Sequence, residues 1–258
     1  MATEKNKART VQTSDTTFRI IGALHEDEGS TVTGLANRLS LAKSTVHDHL
    51  ATLEQHGYVV KRDRQYHLGL RFLDHGTKVK TSMDFDSAAR PVLKRLANET
   101  KVAAWAIVEE NGYAVGLERE IGEEFTISSP RVGRRSHMHH QAGGKVILAH
   151  MPDESVSEII ETNGLSKATE QTITDESVLM EELEKIRNRG YAEDANEAIE
   201  GFGSISVPVL VEGTVRGAIS VAGPTNRLFE AQKHDHLVEL LKGAENEVSL
   251  NLQYPQSE

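Results

Sequence analysis

Lys43-Ser44-Thr45-Val46-His47-Asp48-His49-Leu50-Ala51-Thr52-Leu53-Glu54-Gln55-His56-Gly57, followed by Tyr58-Val59-Val60-Lys61-Arg62-Asp63-Arg64-Gln65-Tyr66-His67-Leu68, is the stretch on which the fold turns. Val46, Leu50 and Leu53 recur on one helical face, which predicts a helix from Lys43 to about His56, stopped by Gly57. Tyr58 to Leu68 then reads as two short strands around a charged turn.

Upstream, Phe18, Ile21 and Leu24 give helical spacing between Thr16 and His25, and Glu26-Asp27-Glu28-Gly29 ends that run. Thr33 is the expected N-cap of a short helix carrying Leu35, Ala36 and Leu39, and Ser40-Leu41-Ala42 makes a tight turn. Residues 1–13 are polar, lack periodicity and are expected to fray. Three helices and a hairpin in this order form the winged helix-turn-helix pattern, assigned to residues 1–69. A connecting helix from Leu70 to about Met83 lies in a linker at 70–85. With Val46, Leu50 and Leu53 inward, Lys43, Ser44, Thr45, His47, Asp48 and Thr52 face outward. Such a module offers its second helix to the major groove of double-stranded DNA. Lys43, Ser44 and Thr45 suit phosphate and base-edge contacts, reinforced by the amides at the helix start. His47 and Asp48 suit base edges, Asp48 as an acceptor from a cytosine amino group. Lys61, Arg62 and Arg64 at the hairpin tip would reach the backbone or the minor groove. Taken singly, each of these charges is also an ordinary solvated residue. It is the ordered array that carries the reading.

The net charge of −10 looks wrong for a DNA binder until its distribution is examined. Residues 1–80 hold 12 Lys and Arg against 9 Asp and Glu, while residues 81–258 hold 17 against 30. A salt-adapted, archaeal host is one reading of that acidity. There is no cysteine, which excludes disulfides, thiolate zinc sites and cysteine nucleophiles. No apolar run approaches the ~20 residues of a membrane span, and the first thirty residues show no signal-peptide core. The expected location is the cytoplasm, with no membrane partner.

The remainder mixes strands and helices. Asp86 to Thr100 reads as a helix with Pro91 near its first turns. Val102–Val108 and Tyr113–Glu118 flank Glu110-Asn111-Gly112 as a hairpin, and Ile205–Val211 and Val215–Ala222 do the same around Glu212-Gly213. Gln141 to Met151 and Glu154 to Thr162 look helical. Asp175 caps a helix holding Leu179, Leu183 and Ile186 that Gly190 closes, and Phe229 to Leu252 is a terminal amphipathic helix. Strands grouped in hairpins make the class α+β, with a second domain at 86–254.

The run Gly34-Leu35-Ala36-Asn37-Arg38-Leu39-Ser40-Leu41-Ala42-Lys43-Ser44-Thr45-Val46-His47 closely resembles the DNA-binding motif of the IclR family of transcription regulators. The likeness continues through Leu50-Ala51-Thr52-Leu53-Glu54, Gly57-Tyr58-Val59 and Tyr66-His67-Leu68-Gly69. One departure is Asp48, where family members often carry a basic residue. Further on, Ala89-Arg90-Pro91-Val92-Leu93, Val132-Gly133-Arg134-Arg135, His139, Gly144-Lys145-Val146-Ile147-Leu148-Ala149, Gly190-Tyr191-Ala192-Glu193-Asp194, Glu197, Gly201, Val207-Pro208-Val209 and Ala218 to Pro224 resemble the family's regulatory domain.

The resemblance implies a GAF-like domain around a small-molecule cavity. It places effector-binding amides at Ala142 and Gly143, as in members whose effectors are small carboxylates. Polar pocket positions fall at Asp194, Ser204 and Ser220, and an apolar wall at Phe202. A common cysteine is Ser204 here and a second serine is Ala222. The resemblance also implies homodimers, often paired into tetramers, whose expected contacts are the first helix and the connecting helix. Control of a catabolic operon for a sugar, organic acid or aromatic acid follows from the same likeness, as activator or repressor.

Two other readings compete. His137-Met138-His139-His140 is a metal candidate, since imidazoles with Asp194 or Glu197 suit zinc or nickel. On a strand, however, His137 and His139 share a face and His140 points away. The plainer expectation is a polar histidine strand beside the pocket, with no cofactor. A hydrolase is the other rival, but Gly-x-Ser-x-Gly, a phosphate-cradling glycine loop and HExxH are all lacking. A purely structural DNA-binding protein would not need the large second domain.

Overall fold

The computed structural model describes residues 10–123 and 131–254. Residues 1–9, part of the stretch expected to fray, lie outside the described residues. The chain divides into two compact units, one ending at Val79 and the other beginning at Lys80.

In the first unit, α1 (Gln12–Glu26), α2 (Val32–Leu39) and α3 (Lys43–Gln55) precede β1 (Val59–Arg62) and β2 (Gln65–Leu68). α1 thus begins inside the stretch expected to be frayed. Its buried stripe is Thr16, Ile20, Ala23 and Leu24, not the expected Phe18, Ile21 and Leu24. Phe18 is 70% exposed, because an i, i+4, i+7, i+8 series starting at residue 16 makes the wider apolar face. The cap of α2 is Thr31, whose hydroxyl accepts from Gly34 N at 3.1 Å. The expected cap, Thr33, already lies within the first turn. Ser40 turns the chain with φ +55, and Val46, Leu50 and Leu53 are buried against Leu35, Ile20 and Val59. β1 and β2 are antiparallel, Arg62 opposite Gln65, and the two-residue turn between them places both Asp63 and Arg64 at positive φ. That is the turn geometry whose twist matches a two-residue hairpin.

α4 (Arg71–Thr81) is shorter than the expected connecting helix and buries no side chain. Leu73 and Val79 on it are 65% and 62% exposed. α5 (Asp84–Thr100) starts earlier than expected, which puts Pro91 in its interior, on the solvent side. There a proline removes one ladder hydrogen bond.

β3 (Ala103–Glu110) and β4 (Tyr113–Ile121) form the first hairpin of the second unit, with Asn111 and Gly112 at positive φ. Then come β5 (Arg135–His137), a 3-10 turn over Met138–His140, α6 (Ala142–Leu148), α7 (Asp153–Asn163) and α8 (Glu176–Arg189). α6 ends three residues before the expected Met151. α8 is capped by Asp175, whose Oδ1 accepts from Ser177 N and Val178 N, and closed by Gly190 at φ +80. β6 (Ala192–Ala195), β7 (Phe202–Val211), β8 (Thr214–Pro224), α9 (Thr225–Leu228) and α10 (Ala231–Gln253) complete the unit. The short α9 precedes the terminal helix expected from Phe229 to Leu252, and α10 begins two residues later than that expectation.

The six strands form one antiparallel sheet in the order β5-β4-β3-β8-β7-β6, with a short strand at each edge. Its two faces follow strand alternation. Ile205, Val207, Ile219 and Val221 pack against Val92, Leu93 and Leu96 of α5 and Leu237 and Leu241 of α10. Ala103, Trp105, Ile107 and Ala218 pack against Val146 and Ile147 of α6 and Leu183 and Ile186 of α8. The architecture is α+β, as expected. Among the described residues, no helix is long and apolar enough to cross a membrane.

Candidate nucleic-acid interface and effector site

Lys43, Ser44, His47, Asp48 and Thr52 are exposed on α3, and Thr45 is half-buried. The N-cap, Ala42, makes no side-chain cap hydrogen bond. The first-turn amides therefore keep their donor capacity for an anion. Thr52 Oγ1 donates to Asp48 O at 2.9 Å, and His47 Nδ1 lies 3.4 Å from Asp48 Oδ1. His49, which sequence reasoning passed over, meets Thr17 Oγ1 at 2.9 Å and ties α3 to α1. Only the tertiary structure reveals that pair, 32 residues apart in the chain.

The wing presents Lys61, Arg62 and Arg64, all exposed. Lys61 Nζ sits 5.2 Å from the centre of the Tyr66 ring. Elsewhere in the unit, Arg38 pairs with Asp27 at 2.7 Å and also with Glu26, while Arg71 and Arg19 donate to the backbone carbonyls of His56 and Leu39 at 2.7 and 3.0 Å. Among the described residues, no carboxylate pairs with Lys43, Lys61, Arg62 or Arg64. The hairpin tip and the head of α3 thus group four exposed cations that no carboxylate neutralises.

In the second unit, the face of the sheet beneath α6 carries a buried polar set. Register puts Asp194 opposite Ser204, Ser204 opposite Ala222, and Ala222 opposite Ala103. The next row on that face runs Ala192, Ser206, Ser220, Trp105, Arg119. Asp194, Ser204, Ser206 and Ser220 are all buried. Ala142 N donates to Ser204 Oγ at 3.3 Å, and Ser204 Oγ donates to Asp194 Oδ2 at 3.4 Å. The Ser206 and Ser220 hydroxyls hydrogen-bond to each other. A Cβ on Gly143 would lie 3.2 Å from Ser220 Oγ and 2.4 Å from Ile107 Cδ1, so α6 rests here in direct contact with the sheet and a larger residue would have to displace Ile107. The structure thus brings Ala142, Gly143, Asp194, Ser204 and Ser220 together. Phe202, two residues before Ser204 on β7 and so on the same face, lies at the end of that strand and is 41% exposed.

Two further residues belong to this set. Lys145, 1% exposed, donates from Nζ to Glu197 Oε1 at 2.6 Å, and Glu197 N donates to Asp194 Oδ1 at 2.8 Å. Burial pushes the Asp194 carboxyl up to about 6, against the pull of the Glu197 amide and Lys145. Burial likewise raises Glu197 to about 7, opposed by Lys145. Glu197 Oε2 is buried without a hydrogen-bond partner. A lysine and a glutamate 52 positions apart give no local signal of pairing, though both stand in the motifs quoted above.

The histidine run departs from the expected strand. β5 ends at His137, and the 3-10 turn gathers all three rings: His139 and His140 are 4.4 Å apart between centres, and His137 lies 5.5 and 5.1 Å from them. His140 therefore does not point away. His139 Nε2 and His140 Nε2 both face Ser166 O, at 3.0 and 2.8 Å. Burial lowers His139 to about 4 and lowers His140 as well. Among the described residues, no group of three or more His, Asp or Glu side chains is arranged to hold a metal ion.

Comparison with known proteins agrees with this two-part organisation. Residues 15–63 match a profile described as the IclR helix-turn-helix domain, and residues 77–250 match one described as the bacterial transcriptional regulator IclR C-terminal domain. The chain is 31% identical over 235 residues to the HTH-type transcriptional regulator KdgR of Dickeya chrysanthemi, covering 89% of this chain and 76% of that one. It is 30% identical over 239 residues to the probable regulator ArcR of Halobacterium salinarum, covering 91% of each. Among solved structures, IclR of Thermotoga maritima superposes with a TM-score of 0.78 at 27% identity, over 94% of this chain and 99% of that one.

Proposed function

This chain belongs to the IclR family of DNA-binding transcription regulators, and we propose that it reads its operator with the head of α3 and the tip of the wing. The observation that carries this is the grouping of unpaired cations, Lys43, Lys61, Arg62 and Arg64, on exposed positions while neighbouring cations are tied down. Lys43, Ser44 and Thr45 take phosphate. His47, Asp48 and Thr52 face base edges, and the wing follows the backbone. The winged module spans 1–69, the linker 70–85 and the effector domain 86–254.

The effector, a small molecule, binds between the first turn of α6 and the serines of β7 and β8, with Ala142, Gly143, Asp194, Ser204 and Ser220 in contact. This is a binding site and not a catalytic one. Among the described residues its serines hydrogen-bond to each other, to an amide and to Asp194, and no imidazole is in position to activate them. Effector occupancy is communicated through α4 to the DNA-binding unit. Couplings of this kind amount to ~1–3 kcal/mol. The protein acts in the cytoplasm as a homodimer or dimer of dimers, because a two-fold pair reads two half-sites. It governs a catabolic operon.

The test is fluorescence anisotropy with the full chain, its own upstream region and a random duplex of equal length at moderate salt. Preference for the upstream duplex is expected. Equal affinity for both duplexes, with and without candidate metabolites, would overturn the reading.

A further inference from the structure

Ser44, Asp48 and Thr52 follow one another at i, i+4 and i+8 on α3 and form one row along the helix. Lys43 and His47 form the row beside it. The row meant for base edges therefore carries a carboxylate at its centre. In the free protein that charge is well hydrated, since the Asp48 side chain is 81% exposed. In the major groove it loses water and stands between two lines of phosphate. A carboxylate placed there needs a donor on the base edge, which the amino group of a cytosine supplies, and a cation beside it.

The amides at the head of α3 are not that cation. The unpaired ones belong to the first turn, and Asp48 lies in the second. Thr52 turns its hydroxyl back to Asp48 O at 2.9 Å and offers the carboxylate nothing. His49, the next imidazole along, is turned to Thr17 of α1. Among the described residues, neither Lys43 nor the wing cations Lys61, Arg62 and Arg64 come within ion-pair distance of Asp48. His47 does, with Nδ1 at 3.4 Å from Asp48 Oδ1. Its side chain is 64% exposed. Among the described residues, no charged group of α1, α2 or the wing lies within that distance of it. On its own helix its charged neighbours are Asp48 and, one turn earlier, Lys43.

Histidine is the side chain whose charge ordinarily changes near neutral pH. With Nδ1–H directed at Asp48, a further proton taken from solvent goes to Nε2. A neutral His47 leaves a net negative charge in the groove. A protonated one cancels it and adds an N–H donor for a phosphate. Duplex DNA thus favours the protonated pair, and by linkage binding draws protons from solvent.

We propose that His47 and Asp48 read the operator as one imidazolium–carboxylate unit: Asp48 accepts from the amino group of a cytosine, and His47 takes up the proton that makes the carboxylate tolerable in the groove. This rests on the placement of α3 in the major groove made above.

The experiment is fluorescence anisotropy with the full chain at constant ionic strength, from about pH 5.5 to about pH 8.5, across the range in which histidine titrates. The duplexes are the upstream region, a random sequence, and upstream variants in which each C·G pair of the protected half-site is changed in turn to T·A. Other histidines can take up protons on any duplex, so the quantity read is the excess pH slope of the upstream duplex over the random one. That excess is expected to reach up to about tenfold in affinity per pH unit for each bound helix, falling as pH rises. His47→Gln should remove it, and so should Asp48→Ala, which leaves no charge for the proton to cancel. His47→Lys, with a permanent charge, should hold the acid-side affinity to the alkaline end. One C·G to T·A change should weaken wild type about tenfold and leave Asp48→Ala unmoved. Both residues are exposed, so these variants keep the fold. An excess slope that survives His47→Gln would overturn the proton uptake. Wild type and Asp48→Ala responding alike to every base change would overturn the reading of cytosine. Equal affinity of wild type for upstream and random duplexes at every pH would take α3 out of the groove, and the pair would fall with the operator reading itself.

Discussion

Lys145 Nζ and Glu197 Oε1 are 2.6 Å apart, and the lysine is 1% exposed. A charge so enclosed is tolerable only with its partner in place. Lys145→Met leaves Glu197 buried and alone, with Oε2 already lacking a hydrogen bond. Removing one partner of such a pair costs about 3–5 kcal/mol. Urea unfolding should show Lys145→Met as the more damaging change, and the double replacement of both residues by Met should recover part of the loss. Equal stability of Lys145→Met and wild type would remove the pair from the account of the core.

The acid response should contain two opposite contributions. His139, lowered by burial from 6.5 to about 4, binds fewer protons folded than unfolded between those values. Its contribution to stability is therefore lost as pH falls through that window. Glu197, raised by burial from 4.5 to about 7, and Asp194, raised from 3.8 to about 6, bind more protons folded than unfolded, so their contribution declines as pH rises. In unfolding measured from pH 4 to 7.5, wild type minus His139→Gln should rise with pH, and wild type minus Glu197→Gln should fall. Matching slopes would contradict the burial assigned to one of them.

Replacement of Arg62 and Arg64 by Ala should weaken binding to any duplex and flatten its salt dependence. Each phosphate contact adds about 0.9 to the slope of log affinity against log salt. A double variant whose slope equals that of wild type would take the wing off the DNA.

Gly143 and Gly144 should tolerate a methyl group very differently from the glycines at solvent turns. At Gly144 a Cβ would meet Met138 O at 2.1 Å, which is backbone and cannot yield. At Gly143 it would meet Ile107 Cδ1 at 2.4 Å, the end of a side chain that can swing. Gly143→Ala is expected to cost about 1–3 kcal/mol by overpacking and to weaken the effector, while Gly144→Ala costs more. Thermal unfolding of the two variants beside Gly213→Ala, whose Cβ meets nothing within 4 Å, provides the scale, the latter reporting backbone strain at φ +77 alone.

The winged module was legible because its signals are local. Val46, Leu50 and Leu53 recur within α3, Gly57 closes it, and the charged pair Asp63-Arg64 divides two strands of matched length. Local signals failed where two equivalent residues compete, as with Thr31 and Thr33 at the head of α2. They fell short again at α5, which begins at Asp84 and not at the expected Asp86. β5 and β6, of 3 and 4 residues, are too short to show alternation and exist because a neighbouring strand completes their ladder. At the effector site the family resemblance named Ala142, Gly143, Asp194, Ser204 and Ser220, which the structure gathers on one side of α6. It says nothing of Ser206, which enters only through the register that sets it opposite Ser220. The 3-10 turn at Met138 likewise overrides the strand periodicity that would have separated His140 from its neighbours.

Both margins of the sheet are stubs, and the outer rim of each is brief: Arg135-Ser136-His137 on one side and Ala192-Glu193-Asp194-Ala195 on the other. A foreign backbone laid against either stub would find three or four residues of ladder to extend, and it would meet the charged side chains of Arg135 or Glu193 there. Exposed apolar area lies instead on helices, as at Phe18 of α1 and Leu73 of α4, 70% and 65% exposed.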